Sequence, residues 1–177
     1  MPEPPWVSVV PLGSEHQAAV QAFACGHPTV DQWFHTQAYP QTARVRTFVC
    51  ARPRGEICAL FALKTAVLAT GELSSNMRHG ANETEPAVLL CQLGIDSAYQ
   101  RQRLFRPLML EVFRQCVAVD DRAPVRYLVV DALEADLVPL YQRHQFTRVG
   151  ATTRLVVKTS AVRALLRAQE RRGLDAR

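Results

Sequence analysis

The chain has 177 residues, 48% of them hydrophobic, so it is long enough to bury a core without metal or disulfide staples and is not a disordered or collagen-like chain. No apolar run approaches the roughly 20 residues that span a bilayer, and Met1 to Pro5 has neither a basic nor an apolar leader segment, so the expectation is a cytoplasmic protein folded as one domain, 1–177. A formal charge of +5 favours an anionic partner, the phosphates of a cofactor or of a nucleic acid, while the tail arginines (Arg163, Arg167, Arg171, Arg172, Arg177) read first as a solvated helix face.

Trp6 to Leu12 reads as a strand ended by Gly13-Ser14, with Ser14 as the N-cap of a helix from Glu15 to about Ala24. Gly26 breaks that helix. A second, from Thr29 to about Ala38, spaces Val30, Trp33, Phe34 and Gln37 for one face and stops before Pro40. Ala43 to Arg52 and Glu56 to Thr70 are rich in β-branched and apolar residues and flank Pro53-Arg54-Gly55, a hairpin signal. Gly71 to Glu85 is polar and reads as a long loop.

Pro86 to Asp96 is nearly continuous in its hydrophobicity, the pattern of a central strand covered on both faces. Leu104, Leu108, Val112, Phe113 and Cys116 then mark a helix ending near Asp120-Asp121, and Val125 to Leu133 marks the next strand. Strand, crossover helix and strand make a right-handed βαβ unit, whose ligands bind beyond the carboxyl end of the first strand. Glu134 to His144 is a short amphipathic helix with Leu137, Leu140 and Tyr141 on one side. Phe146 to Gly150 and Thr153 to Thr159 form a closing hairpin, and Val162 to Arg172 a basic helix. The sum is an α/β fold, a mixed sheet with helices on both faces.

The five cysteines are scattered without C-x-x-C spacing, and the five histidines show no ligand pairing, so no metal is expected. Cys91 lies among Val88, Leu89 and Leu90, surroundings that raise a thiol pKa and argue against a nucleophile.

Chemistry concentrates in the segment from Leu93 to Arg106, a buried strand passing through a polar turn into a helix N-terminus. Free backbone N–H groups and the positive end of the helix dipole attract phosphate there, and Arg101, Arg103 and Arg106 add charge. This segment resembles the GNAT superfamily of acyl-CoA-dependent N-acyltransferases, in which an L-x-[VI]-D strand leads into Q/R-x-x-G-x-G/A; Leu93, Ile95, Asp96 and Gln100 match. The family's Y-x-x-x-G-F appears as Tyr141 to Phe146, and Tyr127 to Ala132 resembles the strand splayed from its neighbour to admit the cofactor. Within the superfamily, Phe23 to His27, Asp31 with Trp33, Arg46 to Val49 and Pro86 to Leu90 resemble the acetyltransferase toxins of toxin–antitoxin pairs.

The resemblance implies a mostly antiparallel sheet of six to seven strands and acetyl-CoA as cosubstrate. Its cofactor site would comprise Leu93, Gly94, Ile95, Gln100, Arg101, Gln102, Arg103, Leu104, Phe105 and Arg106. Tyr141 would protonate the departing thiolate, and a backbone N–H of Leu93 to Ile95 would hold the thioester oxygen. The partners it implies are an aminoacyl-tRNA, a ribbon-helix-helix antitoxin and a second copy of the chain. The sequence departs from the family where Arg103 and Phe105 replace two cofactor glycines and Gln145 replaces the glycine before Phe146. Two alternatives stand: the bulky residues obstruct the pyrophosphate, or Arg103 itself pairs with a phosphate. Besides the toxin-like acetyltransferase, two further readings stay open, a GNAT-fold binding protein without catalysis and an acetyltransferase for small amines or protein N-termini.

Overall fold

Residues Ile57–Ala69 form a strand of 13 residues whose first seven side chains are all buried, so both of its faces are covered over that stretch. The computed structural model describes residues 4–175, with side chains through Arg171. In chain order the elements are β1 (Ser8–Pro11), α1 (Gln17–Ala22), α2 (Pro28–Thr36), β2 (Arg46–Ala51), β3 (Ile57–Ala69), α3 (Ser75–Arg78), β4 (Thr84–Ile95), α4 (Phe105–Asp120), β5 (Tyr127–Asp131), α5 (Val138–Gln142), β6 (Thr147–Arg148), β7 (Arg154–Lys158) and α6 (Thr159–Asp175). Seven strands hydrogen-bond in the order β1-β2-β3-β4-β5-β7-β6, mostly antiparallel with one parallel pair. The chain divides into two compact units, one running to Lys64 and resuming over Leu90–Glu111, the other comprising Thr65–Leu89 and the residues from Val112 onward.

In the first unit the hairpin forms where the sequence places it. Gly55 adopts φ +84°, a left-handed angle that glycine reaches without cost, and its N–H donates to the Arg52 carbonyl at 2.9 Å. Phe48 and Phe61 sit opposite in the β2–β3 register and stack with centroids 5.0 Å apart. β2 begins at Arg46, later than expected, because the chain leaving α2 keeps turning: Val45 N–H still donates to the Gln41 carbonyl at 2.8 Å. Val30 and Phe34 face the core from α2, joined by Val20, Phe23, Val49 and Leu60. Ser14 does not cap α1; it lies in a short 3-10 turn, where the Gly13 N–H donates to His16 Nδ1 at 3.0 Å.

In the second unit the expected loop over Gly71 to Glu85 is partly ordered structure. Ser74 caps the four-residue α3 by accepting from the Met77 N–H, and Leu73 and Met77 are buried in a cluster with Leu68, Tyr127, Val129 and Val156. The carbonyls at the end of α3 are taken up by side chains from the sheet. Lys158 Nζ donates to Asn76, the Tyr127 hydroxyl to Met77 and Arg126 Nη2 to His79, each at 2.7 Å. Tyr127 is fully buried, and its hydroxyl has this single route to a strong acceptor, so Tyr127→Phe should lower stability by about 1 kcal/mol and raise proteolysis within 71–83. Unchanged protease sensitivity would show that α3 is held by its apolar side chains alone. α6 starts at Thr159, directly off β7 and earlier than the apolar spacing suggests. Its Arg163 is no solvated tail residue, since Nη2 donates to Asp120 at 2.6 Å and to Asp121 at 2.7 Å; Arg177 lies outside the described residues.

Candidate active site

β4 is the fourth of seven strands, yet Cys91, Gln92, Leu93 and Ile95 are only part-buried. The carboxyl-terminal stretch of this middle strand is therefore left part-open, as a mostly antiparallel sheet allows on one face. Gly94 is the buried member of this stretch. A Cβ there would lie 3.1 Å from both Cys25 Cβ and Phe23 Cζ, so the glycine admits the loop between α1 and α2 against the strand.

That loop and the turn after β4 are bracketed together. Asp96 Oδ2 accepts from the Ala24 N–H at 3.1 Å and Oδ1 from the Ala98 N–H at 3.0 Å, while the Ser97 N–H donates to the Ala24 carbonyl at 2.8 Å. Gln100 Nε2 donates to the Cys25 carbonyl at 2.6 Å and to the Ile95 carbonyl at 2.9 Å. From α2, Asp31 accepts the N–H groups of Cys25 (2.7 Å) and Gly26 (3.2 Å), and His35 Nε2 lies 2.8 Å from the Phe23 carbonyl. Gln100 therefore acts through its side chain as a brace. Gln100→Ala should speed hydrogen exchange at Cys25 and Gly26 and lower stability by about 1 kcal/mol. Exchange equal to the native protein's would mean that Asp96 and Asp31 suffice.

The turn itself adopts the backbone that its side chains disfavour. Arg101 has φ 61° and Arg103 φ 59°, both left-handed, and Gln145 before Phe146 has φ 74°. For residues with a Cβ such angles cost about 1 kcal/mol or more each. Left-handed residues in a turn gather successive N–H groups on one side, as in the backbone nests that hold anions. The turn runs into α4, whose first amides have no intrahelical partner, and Pro107 in the first helical turn has no N–H to lose. Arg101, Gln102, Arg103 and Arg106 are exposed, and the three arginines make no ion pair among the described residues. Leu104 is buried at 4% exposure and offers only its backbone, while Phe105 is half-buried and helical. Of the two residues that stand where the resembling family has glycine, Arg103 thus keeps the glycine-type backbone and Phe105 needs none. The geometry suits a phosphorylated anion, with backbone N–H groups as the cradle and guanidinium groups as the charge.

In the second unit Tyr141 lies on α5, 7% exposed, its ring edge-on to Phe146 with centroids 5.8 Å apart. Burial pushes its hydroxyl up to about 12, so it is a proton donor throughout the neutral range. The cysteines behave as the sequence suggests. Burial raises Cys91, whose thiol donates to the Ala62 carbonyl at 3.2 Å, and burial pushes Cys25 up to about 11. Cys91 should therefore react with iodoacetamide at neutral pH more slowly than a free thiol, read by intact mass; labelling as fast as a free thiol would show an activated nucleophile. Among the described residues no group of His, Cys, Asp and Glu is placed to hold a metal ion, and no helix is long and apolar enough to cross a membrane.

The bracket was the part that sequence reasoning missed. Asp31 and Asp96 were visible as matches to a pattern, but their task, holding the amides of residues 24–26, shows only in the fold.

No family model matches the chain. Among solved structures it is similar to a tyrosine-to-phenylalanine variant of KacT, with TM-score 0.82 and 17% identity over 90% of this chain and 99% of that one. It is also similar to AtaT complexed with acetyl-methionyl-tRNAfMet, with TM-score 0.78 and 20% identity over 89% of this chain and 98% of that one. A third, AtaTR bound with acetyl-CoA, gives TM-score 0.75 and 19% identity over 89% of this chain and 96% of that one. These neighbours are GNAT-fold acetyltransferase toxins of toxin–antitoxin systems, and the fold of this chain is theirs.

Proposed function

We propose that the chain is an acetyl-CoA-dependent N-acetyltransferase of the toxin type, and that its acceptor is the amino group of an amino acid carried on tRNA. The observation that carries this reading is the left-handed arginine turn closing a part-open central strand, because it presents amides and cations where a pyrophosphate would sit. Two neighbours add support, one solved with acetyl-CoA and one with an acetylated aminoacyl-tRNA.

In the proposed reaction the amine nitrogen attacks the thioester carbon, and a backbone N–H of Leu93 to Ile95 binds the carbonyl oxygen as it becomes an oxyanion. Collapse breaks the carbon–sulfur bond, and the Tyr141 hydroxyl donates to the departing thiolate. Leu93, Gly94 and Ile95 line the thioester, and the turn from Gln100 to Arg106 holds the pyrophosphate. No carboxylate or histidine is assigned as base. The amine of an aminoacyl ester is weakly basic and needs no more than water to take its proton. We further propose a cytoplasmic protein with a ribbon-helix-helix antitoxin as its inhibitor and a homodimer as its working form. AtaT is itself seen bound to the C-terminus of its antitoxin AtaR.

The test is calorimetric titration with acetyl-CoA followed by transfer to charged tRNA. Micromolar binding with acetylated aminoacyl-tRNA as product supports the reading. Binding without transfer to any amine would favour the binding-protein alternative, which the bulky residues at the glycine positions recommend. Transfer to free amines alone would favour the small-amine enzyme. Arg44, Arg46, Arg52, Arg54 and Lys64 are exposed on and around β2 and β3, Arg52 paired with Glu56 at 3.7 Å, so tRNA affinity should fall steeply with salt and fall further in Arg44→Glu/Arg46→Glu. Affinity that is flat with salt would remove tRNA as the acceptor.

A further inference from the structure

A cationic cavity lies in the second unit, at the start of α6, and the acetyl transfer proposed above makes no use of it. It encloses about 510 Å³, and its wall includes Asp120, Arg126, Lys158, Thr159, Arg163 and Arg167. Four of these side chains are cationic and one is a carboxylate.

The cations differ in how far they are neutralised. Arg163 is spent on Asp120 and Asp121 at 2.6 and 2.7 Å. Arg126 and Lys158 donate to the carbonyls of His79 and Asn76, which satisfies hydrogen bonds without cancelling charge, and the carboxylate nearest Arg126, on Glu85, stands 4.0 Å away. Arg167 is exposed and has no partner among the described residues. The 17-residue α6 adds the positive end of its dipole and the amides of its first turn after Thr159, whose own N–H donates to the Arg126 carbonyl at 3.0 Å.

Thr159 supplies an independent sign. It lines the cavity at 3% exposure, and its hydroxyl has no hydrogen-bond partner. The Cys116 thiol lies beside it, and a thiol is only a weak partner for a hydroxyl. A buried hydroxyl without a strong partner is uncommon, and this one belongs to a residue on the wall of the cationic cavity.

We infer that this cavity binds a phosphomonoester, the dianion carried at the end of a small molecule or of a chain. A guanidinium, an ammonium and a helix N-terminus converging on one recess concentrate charge at a point, which suits two charges on one phosphorus. A run of phosphodiesters would instead be met by an extended basic surface.

The test is titration of the ¹⁵N-labelled full chain with inorganic phosphate against chloride at constant ionic strength, following the amides of Ser160 and Ala161. Two further arms use one short oligonucleotide with a 5′-phosphate and with a 5′-hydroxyl. Saturable shifts are expected with phosphate, and the phosphorylated oligonucleotide should bind about tenfold more tightly than the hydroxyl form. Arg167→Ala should weaken phosphate about tenfold without moving the thermal midpoint, and Thr159→Val should weaken it as well. Absence of saturable shifts, equal binding of the two oligonucleotides, or phosphate affinity unchanged in Arg167→Ala would each overturn the inference. So would loss of the response in Arg103→Ala, since that would place the phosphate at the turn after β4. These outcomes are independent of acetyl transfer, so the site stands or falls apart from the proposed enzyme.

Discussion

Replacing Tyr141 with phenylalanine is expected to lower acetyl transfer by on the order of a hundredfold while leaving the fold and acetyl-CoA affinity in place. The ring is the packing element, edge-on to Phe146 with centroids 5.8 Å apart, and phenylalanine retains it. What is lost is one O–H group. Burial pushes that group up to about 12, whereas a thiol of ordinary acidity titrates near about 8.5. Complete proton transfer from the phenol to a thiolate is therefore uphill by roughly three pK units, or about 4–5 kcal/mol. The favourable contribution is a hydrogen bond donated to sulfur as it gains charge, about 1.5–3 kcal/mol for a charged acceptor, and most of a hundredfold lies within that range.

The sign of the shift also fixes a pH signature. A raised pKa keeps the phenol protonated through the usual tyrosine range and loses the proton only as pH climbs toward about 12, so transfer should show no alkaline limb near pH 10 from this group. A variant with full turnover and a stability loss of about 1 kcal/mol would return Tyr141 to the core.

How much of this could be read from the sequence depended on whether the controlling forces were local. The Pro53-Arg54-Gly55 turn was legible because a single left-handed glycine dictates it. The four-residue α3 was not, because its carbonyls are capped by Arg126, Tyr127 and Lys158, residues 47 to 82 positions away. The start of α6 was hidden for another reason: β7 passes into it at Thr159 with no turn residue between them to mark the change. The position of the candidate site was legible from the strand, turn and helix pattern around Leu93 to Arg106. Its working parts were less so. Asp96 and Gln100 match a cofactor motif, yet their side chains hold the loop at residues 24–25, an arrangement that depends on two segments meeting across 72 and 75 positions of sequence.

Arg103→Gly and Arg103→Ala should separate the two roles of the arginine that stands where the resembling family has glycine. With φ at 59°, Arg103 pays for a backbone angle that glycine adopts freely, so the glycine variant should be more stable than the native protein by about 1 kcal/mol. Alanine keeps the Cβ and with it the strain, and its stability should stay near the native value. For the cofactor the two variants should agree, because both remove an exposed, unpaired guanidinium and neither disturbs the amides of the turn. Acetyl-CoA affinity should fall about tenfold in each, the worth of one charge-assisted hydrogen bond to phosphate. Arg103→Lys should recover part of the loss, since an ammonium restores the charge without the two-pronged geometry. Phe105 needs no such test of its backbone, because it is the first residue of α4 and already helical; Phe105→Gly would only weaken the helix. Calorimetric affinity and thermal midpoint, measured on the same three Arg103 variants, decide between the two alternatives at this turn. Tighter binding in Arg103→Gly than in the native protein would show that the side chain obstructs the pyrophosphate, and the assignment of Arg103 as its partner would fail.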